Sequence, residues 1–103
     1  MRKAKVFVKG KEAGTLTEVV QGSEYLFEYL DDYNGLEVSI TLPTKAKVYK
    51  FNRFPPFFDG LLPEGIQLDG LLKLKKIDRY DYFSQLMAVG EDMVGAVTVR
   101  EAE

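Results

Sequence analysis

The 103-residue sequence contains no cysteine and no histidine. Without cysteine there is no disulfide framework, thiolate zinc site or thiol nucleophile, and a reducing compartment is allowed without being demanded. Without histidine the commonest general base, the Ser-His-Asp arrangement and the commonest metal ligand are all missing. An enzyme is not expected, and no catalytic, metal-binding or cofactor-binding residue is assigned. No apolar run approaches the ~20 residues needed to cross a bilayer. The basic start Met1-Arg2-Lys3 leads into an apolar run broken at Lys9, without a small-residue cleavage site, so no signal peptide is read and a cytoplasmic protein is expected. Fourteen basic and sixteen acidic residues leave a net charge of -2, too weak a field for general attraction to phosphate backbones or anionic membranes.

Two further signals fail on inspection. Gly10 and Gly14 match neither Walker spacing nor Gly-x-Gly-x-x-Gly, so no nucleotide loop is expected. Asp31 and Asp32 are adjacent carboxylates without further spaced ligands, which is the chemistry of a solvated turn rather than a calcium loop. What remains is ordinary globular composition: 46% apolar and 29% charged residues argue against extended disorder. The length implies one domain over residues 1–103, too short for a complete kinase.

Taken in order, residues 4–9 alternate Ala4, Val6 and Val8 against Lys5, Phe7 and Lys9, the period of a half-buried strand. Polar, glycine-bounded Gly10 to Gly14 leads into β-branched Thr15 to Val20, so the two runs read as a hairpin. A second turn at Gln21-Gly22-Ser23 precedes Glu24 to Leu30, where Tyr25, Phe27 and Tyr29 share one face. After the turn chemistry of Asp31 to Gly35, residues 36–42 resume strand character through Val38, Ile40 and Leu42 until Pro43 stops them. Lys45, Lys47, Lys50 and Arg53, interleaved with Val48, Tyr49, Phe51 and Phe54, read either as an edge strand protected by lysines or as a basic-aromatic surface for single-stranded nucleic acid. Ile66 to Lys76 is helical, with Leu68, Leu71, Leu72 and Leu74 on a broad face and lysines in the last turn, where they suit the helix dipole. Asp78 can cap a second helix carrying Tyr82, Phe83, Leu86 and Met87 and ended by Gly90. Ala96 to Arg100 is a closing strand, and Glu101 to Glu103 is expected to fray. The fold class is α+β: an antiparallel sheet of four or five strands with two main helices.

The chain turns on residues 55–65, Pro-Pro-Phe-Phe-Asp-Gly-Leu-Leu-Pro-Glu-Gly. Three prolines and two glycines in eleven residues punctuate the backbone, yet Phe57, Phe58, Leu61 and Leu62 are too apolar for a solvated loop. It reads as a packed junction between sheet and helices, part of which is available for docking.

Phe57 to Gly65, followed after a helical stretch by Val89-Gly90-Glu91-Asp92-Met93-Val94-Gly95-Ala96-Val97, resembles the N-terminal subdomain of HipA-type toxin kinases. Gly14-x-Leu16, Phe27-x-Tyr29 and Thr41-Leu42-Pro43 fit the same family, so the resemblance covers nearly the whole chain. In that family the subdomain precedes a kinase core that carries the ATP-binding and catalytic residues. None of that core is present, and a chain running from Met1 to just beyond Gly95-Ala96-Val97-Thr98-Val99 looks like the free-standing HipS-like form, which accompanies a HipT kinase and a DNA-binding HipB. The resemblance implies an antitoxin that binds and neutralises the kinase, meeting a HipB-like protein only through the complex. Asp59, Gly60, Leu62, Pro63, Glu64, Gly65, Ile66 and Leu68 are the candidate contact residues. Free-standing relatives often carry Trp after Pro-Glu-Gly, where this chain has Ile66. The alternatives are a nucleic-acid-binding module using Lys45 to Arg53, although direct nucleic-acid contact is not favoured by charge, and a scaffold domain that binds without inhibiting.

Overall fold

The computed structural model describes residues 1–92 and 95–102. Five strands form one antiparallel sheet: β1 (Arg2–Val8), β2 (Lys11–Val20), β3 (Glu24–Tyr29), β4 (Val48–Phe51) and β5 (Val97–Glu101), in the order β4-β3-β2-β1-β5. Three helices, α1 (Pro56–Asp59), α2 (Gly65–Lys75) and α3 (Tyr82–Val89), lie between β4 and β5 in sequence. The α+β expectation holds, and the basic segment Lys45 to Arg53 contains the edge strand β4.

The first hairpin is tighter than its glycine spacing suggests. Val8 pairs with Lys11 across a two-residue turn in which Lys9 and Gly10 both take positive φ (51° and 82°). That backbone twist matches the twist of the flanking strands, and glycine tolerates it without strain. Gly14 therefore belongs to β2 rather than to the turn. A Cβ there would stand 2.2 Å from the Glu28 carbonyl oxygen, so only glycine lets β3 approach this closely.

Residues 36–42 are not a strand. Val38 and Leu42 are buried, but Ile40 between them is 89% exposed, and the only regular feature is a tight turn closed by Leu42 N–H on the Ser39 carbonyl. Tyrosine hydroxyls replace the missing ladder. The Tyr29 hydroxyl accepts from Val38 N–H at 2.9 Å and donates to the Leu42 carbonyl, while the Tyr33 hydroxyl donates to the Leu36 carbonyl. Tyr29 and Tyr33 stack at 5.6 Å, and Lys11 sits over the Tyr33 ring. Buried main-chain groups need partners from somewhere, and here aromatic side chains supply them.

The core lies between the sheet and the helices. Val6, Leu16, Phe27 and Val99 from the sheet meet Phe58 of α1 and Phe83 and Leu86 of α3, all essentially inaccessible to solvent. Asp81, not Asp78, caps α3: its carboxylate accepts from Ser84 N–H at 3.1 Å, whereas Asp78 accepts from Tyr80 N–H in the preceding turn. Asp81 is preferred because Arg2 reaches it from β1. The Arg2 guanidinium donates to Asp81, to the Ser84 hydroxyl and to Glu18 of β2, which is 4% exposed. Tyr25 donates to the other Glu18 oxygen. Gly90 ends α3 as expected but in ordinary right-handed geometry; a Cβ there would meet the Val99 carbonyl oxygen at 2.4 Å. Glu101 and Ala102 do not fray, since Glu101 pairs with Ala4 and Ala102 N–H donates to the Lys3 carbonyl.

Candidate partner-binding surface

The junction divides by burial. Pro55 is extended and buried, and Pro56 occupies the first turn of α1, where its missing N–H costs nothing. Phe58 is wholly buried and contacts Phe27 and Phe57 (ring centroids 6.0 and 5.1 Å). Phe57, Leu61 and Leu62 are half-buried against the same core. Beyond Leu62 the chain moves outward: Glu64, Gly65 and Ile66 are exposed, with Ile66 at 88%. Of the contact residues expected from the sequence, Asp59, Gly60, Glu64, Gly65 and Ile66 are open to solvent, while Pro63 and Leu68 are partly covered and Leu62 packs inward.

Gly65 takes φ +61° at the first position of α2, with Glu64 extended before it. This corner turns the helix away from the junction, and glycine accepts the left-handed angle at no steric cost. The lysines do lie in the last turn of α2, and Lys76 closes it in a left-handed conformation. Its packing is sparse. Leu68, Leu71 and Leu72 are half-buried, no residue of the helix is fully buried, and Leu74 turns outward at 78% exposure instead of joining that inner face. Asp69 is held by Arg79 at 2.6 Å, an exposed pair that ties α2 to the loop before α3. Sequence reasoning placed Leu74 on the broad apolar face, but the part of α2 that the domain covers is narrower and takes in only Leu68, Leu71 and Leu72.

In the basic segment Tyr49 and Phe51 are half-buried and pack against the core, and the Tyr49 hydroxyl donates to the Pro43 carbonyl at 2.6 Å. Lys47 pairs with Asp31, the first residue of the acidic pair. Among the described residues no group of His, Cys, Asp and Glu side chains comes together that could hold a metal ion.

The profile of the HipA N-terminal domain family matches residues 4–100. The chain belongs to that family. The solved structure of the N-terminal domain of HipA toxin superposes on it with a TM-score of 0.78 and 32% identity, covering 100% of this chain and 94% of that one. An uncharacterized protein of Haemophilus influenzae is 34% identical over 101 residues, which is 98% of this chain and 93% of the relative. Two Sinorhizobium fredii proteins, provisionally named kinases Y4mE and Y4dM, are 31% and 33% identical. The chain spans only about a quarter of the length of these two (24% and 25%). The family motif therefore falls where this HipA N-terminal domain joins its sheet to its helices. Met93 and Val94 of the second motif block lie outside the described residues.

Proposed function

We propose that this HipA N-terminal domain is a non-catalytic antitoxin or regulatory subunit that binds and neutralises a HipT- or HipA-like serine/threonine kinase. A HipB-like DNA-binding protein joins through the complex. Contact runs along residues 59–68 and continues onto the outer face of α2. The observation that carries this reading is the exposure of Ile66 at the end of a proline-stiffened family motif. A large apolar side chain held on an ordered backbone loses little entropy on docking, and burying one such side chain contributes about 2 kcal/mol. Two relatives that match this domain over about a quarter of their length carry kinase names, which supports a kinase core as the partner.

The test is co-purification with a HipA-like kinase that lacks its own N-terminal domain, followed by autophosphorylation of that kinase with and without this protein. Binding with loss of autophosphorylation supports the reading. Binding without inhibition makes the domain a scaffold, and absence of a complex at micromolar concentrations removes the proposal.

A further inference from the structure

The outward face of α2 carries Ile66, Gly70 and Leu74 at intervals of four residues, a ridge along the helix with a notch at its centre. Ile66 is 88% and Leu74 78% exposed, and a Cβ built on Gly70 would meet nothing within 4 Å. The order reads the same from either end: a large aliphatic, a glycine, a large aliphatic. Charge divides about the same point. Glu64 and Asp69 lie toward the N-terminal end, and Lys73, Lys75 and Lys76 toward the C-terminal end. An 11-residue helix with no fully buried residue is too short to hold its conformation by propensity alone.

We propose that a second copy of this chain covers this face, with the two α2 helices packed antiparallel about a twofold axis through Gly70. A two-fold interface requires a patch complementary to itself, and this one is. The notch at Gly70 lets the helices cross closely, and Ile66 of each copy enters the space between Gly70, Lys73 and Leu74 of the other, the arrangement of a knob in a hole. Antiparallel packing also sets the acidic end of one helix against the basic end of the other and opposes their dipoles favourably. Asp69 keeps its Arg79 partner within its own chain, so the cross-pairing falls chiefly to Glu64 and the lysines. A single helix pair buries less than a standard interface, so the dimer is weak, half-formed at roughly 100 μM. Because Ile66 serves both partners, self-association and kinase binding exclude each other. The dimer conceals the docking side chain until the kinase displaces it.

The experiment uses the protein alone, so its outcome is independent of whether the kinase reading stands. Sedimentation equilibrium from micromolar to millimolar concentration should show a monomer–dimer equilibrium without larger species. Ile66→Asp should weaken it by about tenfold or more. Gly70→Gln should separate two effects: replacing a helical glycine raises the melting temperature of the monomer, while filling the notch weakens the dimer. Since the chain has no cysteine, Gly70→Cys gives a single reporter at the axis. A short bifunctional thiol reagent should link it into dimers about ten times faster than Gln21→Cys, placed in the exposed β2–β3 turn. A monomer throughout the concentration range, a dimer indifferent to Ile66→Asp and Gly70→Gln, or equal cross-linking at the two cysteines would each overturn the proposal.

Discussion

Arg2 and Asp81 are 79 residues apart in the chain, and the guanidinium of one donates to the carboxylate of the other at 2.8 Å. The same guanidinium donates through Nε to buried Glu18 at 2.6 Å and lies 5.0 Å from the centre of the Phe83 ring. One side chain thus ties β1 to β2 and to the start of α3. Arg2→Ala leaves Glu18 in the core with only the Tyr25 hydroxyl, and should destabilise the domain by about 2 kcal/mol, discounted because Arg2 itself is partly solvated. Adding Glu18→Gln should return part of that loss, as a double-mutant cycle in urea will show.

Burial pushes the Asp81 carboxyl upward, but hydrogen bonds from Arg2 and Ser84 outweigh it and hold the group below the usual carboxylate range. A carboxylate with a depressed folded value adds stability above its unfolded pKa of about 3.9, and that stability is lost as pH falls through the folded value. Wild-type stability should therefore drop below about pH 4. Asparagine caps a helix about as well as aspartate, so Asp81→Asn should be less stable at pH 7 by about 1 kcal/mol for the lost ion pair with Arg2, and should lose less on acidification.

The tyrosines give the opposite edge of the pH profile. Burial raises the hydroxyls of Tyr25 and Tyr29, against hydrogen bonds from Gly22 and Val38 main-chain N–H groups that favour the phenolate. Their contribution is whole below the unfolded pKa of about 10 and disappears as pH rises toward the folded values. Denaturant melts between pH 8 and 11 should show this decline, and Tyr29→Phe should flatten it. At neutral pH Tyr29→Phe should cost about 1–3 kcal/mol, because Val38 N–H and the Leu42 carbonyl lose their shared partner.

Phe58 lies inside the family motif and Ile66 directly after it, and the two should respond oppositely. Phe58→Ala removes a wholly buried ring and should cost about 3–5 kcal/mol. Ile66→Asp should change stability by no more than about 0.5 kcal/mol and weaken capture of the kinase. Urea melts and a pull-down on the same two variants separate the roles; an unfolded Ile66→Asp would show that the side chain belongs to the core.

Legibility followed the physics of each segment. Period-two alternation marked β1, β3 and β5 because one sheet face is buried and the other solvated. The same alternation misled at 36–42: Val38, Ile40 and Leu42 would share one face of a strand, but tyrosine hydroxyls hold this segment as a turn with Ile40 outside. Nothing in the local pattern announces a hydrogen bond from nine or thirteen residues away. Asp78 and Asp81 are equal as caps by residue type; the choice depends on Arg2 at the far end of the chain. In the junction, chemical type separated the buried Phe58 from the exposed Glu64 and Gly65, whereas the outward turn of Leu74 depended on how little of α2 the domain covers.

The pairing of β1 with β5 has a kinetic consequence. Ala4 lies opposite Glu101, so β1 acquires its outer neighbour only after β2, β3, β4 and all three helices have been made. Closing so long a loop is entropically slow. Until then β1 is an open edge, and Lys3 and Lys5, alternating with its buried residues, are the charges that keep unfinished chains from pairing with one another.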